Sequence, residues 1–138
     1  MTPVDTVQSY FDRVYGELEV EAIRTLCSDP YRRHEAGGEV HLLDHEQQLE
    51  RIRGVIAATT VADGRTFSFT PVVMSGDGDH VSVTFDMTAP ADSPFVAAAP
   101  EGAIVGDELH LCGIEVFRVT GGVITDVWNS SLMPGHWG

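Results

Sequence analysis

Residues 109–130, LHLCGIEVFRVTGGVITDVWNS, decide the architecture of this chain. Polar and apolar residues alternate along 109–119, Gly121 and Gly122 supply a tight turn, and 123–130 returns with the same two-residue period. Glycine accepts positive φ freely, so a Gly-Gly pair between two alternating runs is a strong hairpin signal. One face of that hairpin is buried. Glu115 falls on it together with Leu109, Leu111, Phe117 and Val119, where an unpaired carboxylate is costly. It is therefore either a structural partner of an arginine such as Arg118 or Arg65, or a working acid or base whose pKa is raised by burial.

Upstream of the hairpin the two-residue period continues through Phe67, Phe69, Val72 and Val73, a Gly76-Asp77-Gly78 turn, and Val81, Val83, Phe85 and Met87. Before Asp63-Gly64 the period is helical. Val4, Val7, Tyr10, Phe11 and Val14, then Leu18, Ala22, Ile23 and Leu26, predict two helices meeting near Gly16, with Cys27 in the second apolar pattern. Residues 31–35 read as a brief strand. Asp44 followed by Gln47 marks a helix start, and Leu49, Ile52, Val55 and Ile56 give that third helix one apolar face. The segment 89–107, with Pro90, Pro94 and Pro100, reads as a long loop with a piece of strand around 95–98. Three helices followed by a mainly antiparallel sheet is α+β architecture in one domain over 1–138, and a strongly curved sheet under helices encloses a pocket.

The chain carries 21 acids against 8 bases, a net charge of −13, and every base is an arginine. Such a surface repels phosphate backbones, so nucleic acid and anionic membranes are excluded as expected partners. The absence of lysine removes Schiff-base chemistry, a lysine-anchored pyridoxal cofactor and a phosphate-loop lysine. No apolar run approaches the roughly 20 residues of a membrane span, and 1–15 shows no export signal, which predicts a cytoplasmic protein. Cys27 and Cys112 then read as buried thiols.

The order of helix, helix, short strand ending in His-x-x-Gly (34–37), helix and strands finishing in G-x-x-x-x-x-x-G-I-x-V-F-R-V-x-x-G-x-I-x-x-x-W (106–128) resembles the SnoaL-like polyketide cyclases. These belong to the ketosteroid isomerase and nuclear transport factor two-like superfamily. The resemblance implies a cone-shaped fold, a homodimer, no cofactor, and cyclisation, isomerisation or dehydration of an apolar, polyketide-like secondary metabolite, as in antibiotic biosynthesis. By position, Glu115 matches the isomerase carboxylic acid that hydrogen-bonds the developing enolate. His34 matches the catalytic base if one residue is deleted in the approach, and Glu35 matches it otherwise. Phe11 stands where the isomerase has its tyrosine, with Tyr10 beside it, and Leu132 stands where the cyclases have an aspartate.

On this reading His34 removes a proton, the task an imidazole suits in general, unless it is a surface histidine between Arg33 and Glu35. Glu115 donates a proton or steadies an oxyanion. Tyr10, Tyr15, Asn129, Ser131, Phe117 and Trp128 are the expected substrate contacts. Asp86 and Asp126 alternate with apolar neighbours and so belong to the more polar face, and His110 shares a face with Cys112, opposite Glu115. An epoxide hydrolase of the limonene type would need Asp86, Arg118 and Asp126 to converge on a water. A ligand carrier would show Glu115 paired to an arginine with no second ionisable group in the cavity. His41, Asp44 and His45 are close in sequence, but a helix starting at Asp44 separates the imidazoles, and no metal is expected. The tail, 133–138, is expected over the pocket mouth or a partner subunit.

Overall fold

The computed structural model describes all residues, 1–138. Helix α1, Pro3–Tyr10, starts where Thr2 and Asp5 cap each other's backbone N–H groups and Pro3 occupies the first turn, where no intrahelical donor is needed. It runs without a break into a wider turn, Phe11–Gly16, in which Glu17 N–H reaches back five residues to the Asp12 carbonyl at 2.9 Å. A single turn at Val20–Ala22 leads into the four-residue helix α2, Ile23–Leu26. Strands β1, Cys27–His34, and β2, Val40–Leu43, form a hairpin before helix α3, His45–Thr59. Asp44 caps α3 reciprocally with Gln47, as its spacing predicts.

The remaining strands are β3, Ser68–Asp77; β4, His80–Pro90; β5, Ile104–Val105; β6, Glu108–Thr120; β7, Val123–Asn129; and β8, Met133–Pro134. Their order across the sheet is β2-β1-β7-β6-β4-β3, with β5 and β8 also on β6, and only the β1–β7 pair is parallel. The β6–β7 turn uses positive φ at both Gly121 and Gly122, 61° and 82°, as a two-residue hairpin of this hand requires. Gly113 serves another purpose: a Cβ there would meet Phe85 Cζ at 2.5 Å, so glycine lets the Phe85 ring lie across β6.

Several details differ from the expectation. The brief strand expected at 31–35 between the second and third helices is longer, Cys27–His34, and pairs with β2 as a hairpin. Cys27 opens β1 rather than closing a helix. Around 95–98 the chain makes a helical turn, Pro94–Ala98, not a strand, because Pro94 at its first position favours helical φ. The tail lies along the outside of β4 and β6, away from the pocket: Trp137 and Gly138 N–H donate to the Asp86 carboxylate, and Trp137 Nε1 donates to the Gly113 carbonyl. No helix is long and apolar enough to cross a membrane.

Two apolar clusters fill the space between helices and sheet. The larger joins Val7, Phe11 and Val14 with Ile23, Leu49 and Ile52 and with Val83, Phe117 and Ile124 of the sheet. The smaller, Phe67, Met87, Leu109 and Leu111 among them, lies toward the 89–107 segment. Tyr15, Phe69 and Leu132 pack against both, and the cavity opens where they meet.

Candidate active site

Residues of both clusters line a cavity of about 190 Å³ on the concave side of the sheet. An apolar cavity of about 150 Å³ accepts benzene, so this volume suits a body of one or two rings. Phe69, Phe85, Phe117, Met87, Val55 and Phe95 supply apolar wall, and the polar groups are Tyr10, Tyr15, Tyr31, Arg33, Arg51, Glu115, Asn129 and Ser130.

Strand register assembles the polar end. Glu115 on β6 stands directly opposite Asn129 on β7, and Arg33 on β1 pairs with Val127, two residues earlier on β7 and on the same face. With its amide oriented so that donors meet acceptors, Asn129 donates to Glu115 Oε2 at 2.5 Å and accepts from Arg33 Nη1 at 3.2 Å. Arg33 Nε is also bound to Glu35 at 2.7 Å. Burial pushes the Glu115 carboxyl up to about 7, while Arg33 and Arg51 restrain the rise and Glu35 adds to it. No arginine lies within salt-bridge distance of Glu115, so neither Arg118, which pairs with Asp79, nor Arg65, which pairs with Asp63 and Asp92, neutralises it.

The wider turn after α1 places the tyrosines. In an α-helix, residues five apart point about 140° away from each other; hydrogen bonds to the fifth residue back widen the turn and bring them toward the same side. Tyr10 and Tyr15 thus bring their hydroxyls to 3.4 Å inside the cavity. Burial holds both above the ordinary tyrosine range, so they remain donors at neutral pH, and Tyr31 is pushed up to about 12 for the same reason. The Cys27 thiol, also on the wall, is pushed up to about 12 by burial, which leaves it un-ionised and a poor nucleophile.

The cavity therefore brings together Glu115, Tyr10, Tyr15, Asn129 and Phe117 of the expected residues. It does not include His34, Trp128, Asp126, Asp86, His110 or Ser131. His34 corrects the assigned base. On β1 Tyr31 and Arg33 face the cavity, so His34 takes the opposite face, where it stacks on Trp128 with ring centroids 4.4 Å apart and bonds Asp126 Oδ2 at 2.9 Å. Burial is the largest single influence and raises the Asp126 carboxyl, but the bonds to His34 and Thr125 and the Arg32 charge together hold it below its usual range. Trp128 and Asp126 are thereby also moved out of any substrate contact. Asp86 holds the tail, and His110 stacks on His136 at 4.2 Å. Asp86, Arg118 and Asp126 do not converge on the cavity, so that epoxide hydrolase arrangement is absent. Ser131 is exposed, and Ser130 lines the cavity in its place. Glu35 sits behind Arg33 rather than on the wall. His45 bonds the Cys27 carbonyl, Asp44 caps α3, and His41 is half-exposed on β2 beside Glu39. Leu132, where the cyclases have an aspartate, does reach the cavity, as an apolar contact.

The charged cavity residues that pattern reading missed are Arg33 and Arg51. Arg33 was legible as the neighbour of His34 on the alternate face of β1. Arg51 carried no signal, because on α3 it flanks the apolar stripe as a solvent-facing arginine would.

No protein-family model and no curated protein matches this sequence. Solved structures do match its fold. A protein assigned as a polyketide cyclase from Acidithiobacillus ferrooxidans has 22% identity over 94% of this chain and 87% of its own, with a TM-score of 0.70. One assigned as a SnoaL-like polyketide cyclase from Jannaschia sp. has 18% identity over 93% and 83%, with a TM-score of 0.68. An epoxide hydrolase of the limonene type from M. tuberculosis has 15% identity over 92% and 80%, with a TM-score of 0.62. At these identities the likeness is one of fold, and the chain has the cone-shaped α+β fold of the SnoaL-like polyketide cyclases and ketosteroid isomerase-like proteins.

Proposed function

We propose that this protein moves a proton at carbon next to a carbonyl in a small, largely apolar molecule, using Glu115 as the transferring group and no cofactor. The observation that carries this reading is a carboxyl on an aromatic wall whose pKa is raised to about 7, because a group poised near the working pH can both take and return a proton. With His34 on the outer face, both proton steps fall to Glu115. It accepts the proton as a carboxylate, and the resulting enolate oxygen meets the hydroxyls of Tyr10 and Tyr15, which stay protonated. Glu115 then delivers the proton to a second position, which gives isomerisation, or to a departing or newly formed oxygen, which gives dehydration or ring closure. Asn129 holds the carboxyl in register by its hydrogen bond. The charged and phenolic groups around Glu115 argue against a purely passive carrier.

The test needs only generic substrates. Wild-type protein is incubated with tetralone in heavy water and with a β,γ-unsaturated cyclohexenone, following α-proton exchange by NMR and the conjugated enone by ultraviolet absorption. Acceleration in the wild type that disappears in Glu115→Gln supports the proposal. Equal rates in the two proteins refute it.

A further inference from the structure

Six of the eight arginines are ion-paired: Arg13, Arg24, Arg33, Arg53, Arg65 and Arg118. In a chain with 21 acids that is the expected state of a guanidinium. Arg32, without a salt bridge, is exposed to water. Arg51 is different. It is half-buried on the inner side of α3, lines the cavity, and makes neither a salt bridge nor a side-chain hydrogen bond. A guanidinium cannot shed its proton to escape burial, and its planar fork of donors matches a carboxylate. Glu115, the one carboxylate on the cavity wall, attracts it from a distance but forms no ion pair with it, and its Oε2 is engaged by Asn129.

We infer that Arg51 is the recognition group for a carboxylate on the ligand, so that the cavity takes a small carboxylic acid with an aromatic or alicyclic body. This deepens the proposed function by naming its substrate class, and it rests on the same cavity but not on turnover. The apolar body lies against Phe69, Phe85 and Phe117, and the acid end reaches Arg51 beside the tyrosines. One unpaired cation next to a titrating carboxyl suits a monoanion; a phosphate dianion would be repelled by Glu115.

Calorimetric titration with benzoate, naphthoate, their amides and phenyl phosphate tests this directly. The acids are expected to bind at least about tenfold more tightly than their amides, the margin of a charge-assisted hydrogen bond. Arg51→Gln loses the preference, Arg51→Lys keeps part of it, and Arg53→Gln, two residues on and so on the opposite side of α3, where it pairs with Glu21, keeps all of it. Glu115→Gln removes a neighbouring negative charge and so should strengthen the acid preference while abolishing proton transfer, so loss of turnover and loss of acid recognition are read separately. Thermal melts confirm that each variant is folded. Acids and amides binding alike, no acid binding at all, tighter binding of phenyl phosphate, or a preference that survives Arg51→Gln would each overturn the assignment.

Discussion

Glu115→Gln makes the cost of the buried carboxyl measurable without any substrate. In the folded protein the group titrates at about 7, against an ordinary value of 4.5, a displacement that corresponds to about 3 kcal/mol. The sign follows from proton binding. Below pH 4.5 both folded and unfolded chains hold the proton and the group costs nothing. Between 4.5 and about 7 the unfolded chain has released a proton that the folded one retains, so stability falls as pH rises. Above that window both states are ionised, and the full penalty of about 3 kcal/mol persists. Glutamine keeps the acceptor that Asn129 reaches but never ionises. The variant should therefore match the wild type near pH 4 and exceed it by about 3 kcal/mol at pH 8, roughly 10 °C in melting temperature. Urea unfolding of both proteins across that pH range, compared at equal slope, cancels the contributions of all other carboxyls. A difference that does not change with pH would refute the argument. So would a wild type that gains on the variant as pH rises, because Arg33 and Arg51 would then outweigh burial.

Three further outcomes follow from the geometry. Arg33→Met removes a charge that restrains the Glu115 pKa, so the pH midpoint of tetralone exchange should move upward from about 7. His34→Ala leaves the buried Asp126 carboxylate without its imidazole partner and should cost about 2 kcal/mol in denaturant unfolding, yet leave the exchange rate unchanged because His34 is not on the cavity wall. Gly113→Ala drives a methyl into the Phe85 ring and should lower stability by about 1–3 kcal/mol by overpacking, measured by the same unfolding assay.

The final hairpin was readable because two independent signals agreed there: alternation sets which face of β6 is buried, and two consecutive glycines set the turn through their φ; the bulge that shifts the register of β7 between Arg118 and Val119 carried no such signal. The capped start of α3 was readable for the same reason, since Asp44 and Gln47 satisfy each other locally. The short elements were not. The helix α2 has only four residues, too few for a period to emerge, and β2 has three of its four residues exposed, so no alternation marks it. The wider turn at Phe11–Gly16 is invisible to a search at helical period, although it determines which tyrosines share a face.

The site shows where one-dimensional reading stops. Glu115 could be placed on the buried face because a strand's parity is fixed once its apolar neighbours are known. The base could not, because 31–35 offers too few apolar residues to set parity, and a slip of one residue exchanges Arg33 for His34. With Tyr31 buried, β1 turns Arg33 inward, and a cation rather than an imidazole stands near Glu115. That exchange changes the chemistry as well as the residue. An imidazole there would share the proton with Glu115; a guanidinium can only steady charge. In the proposed reaction the single carboxyl serves as base and acid in turn, which is workable only if its pKa lies near the working pH. Apolar burial supplies that, and the arginines keep the rise from going too far.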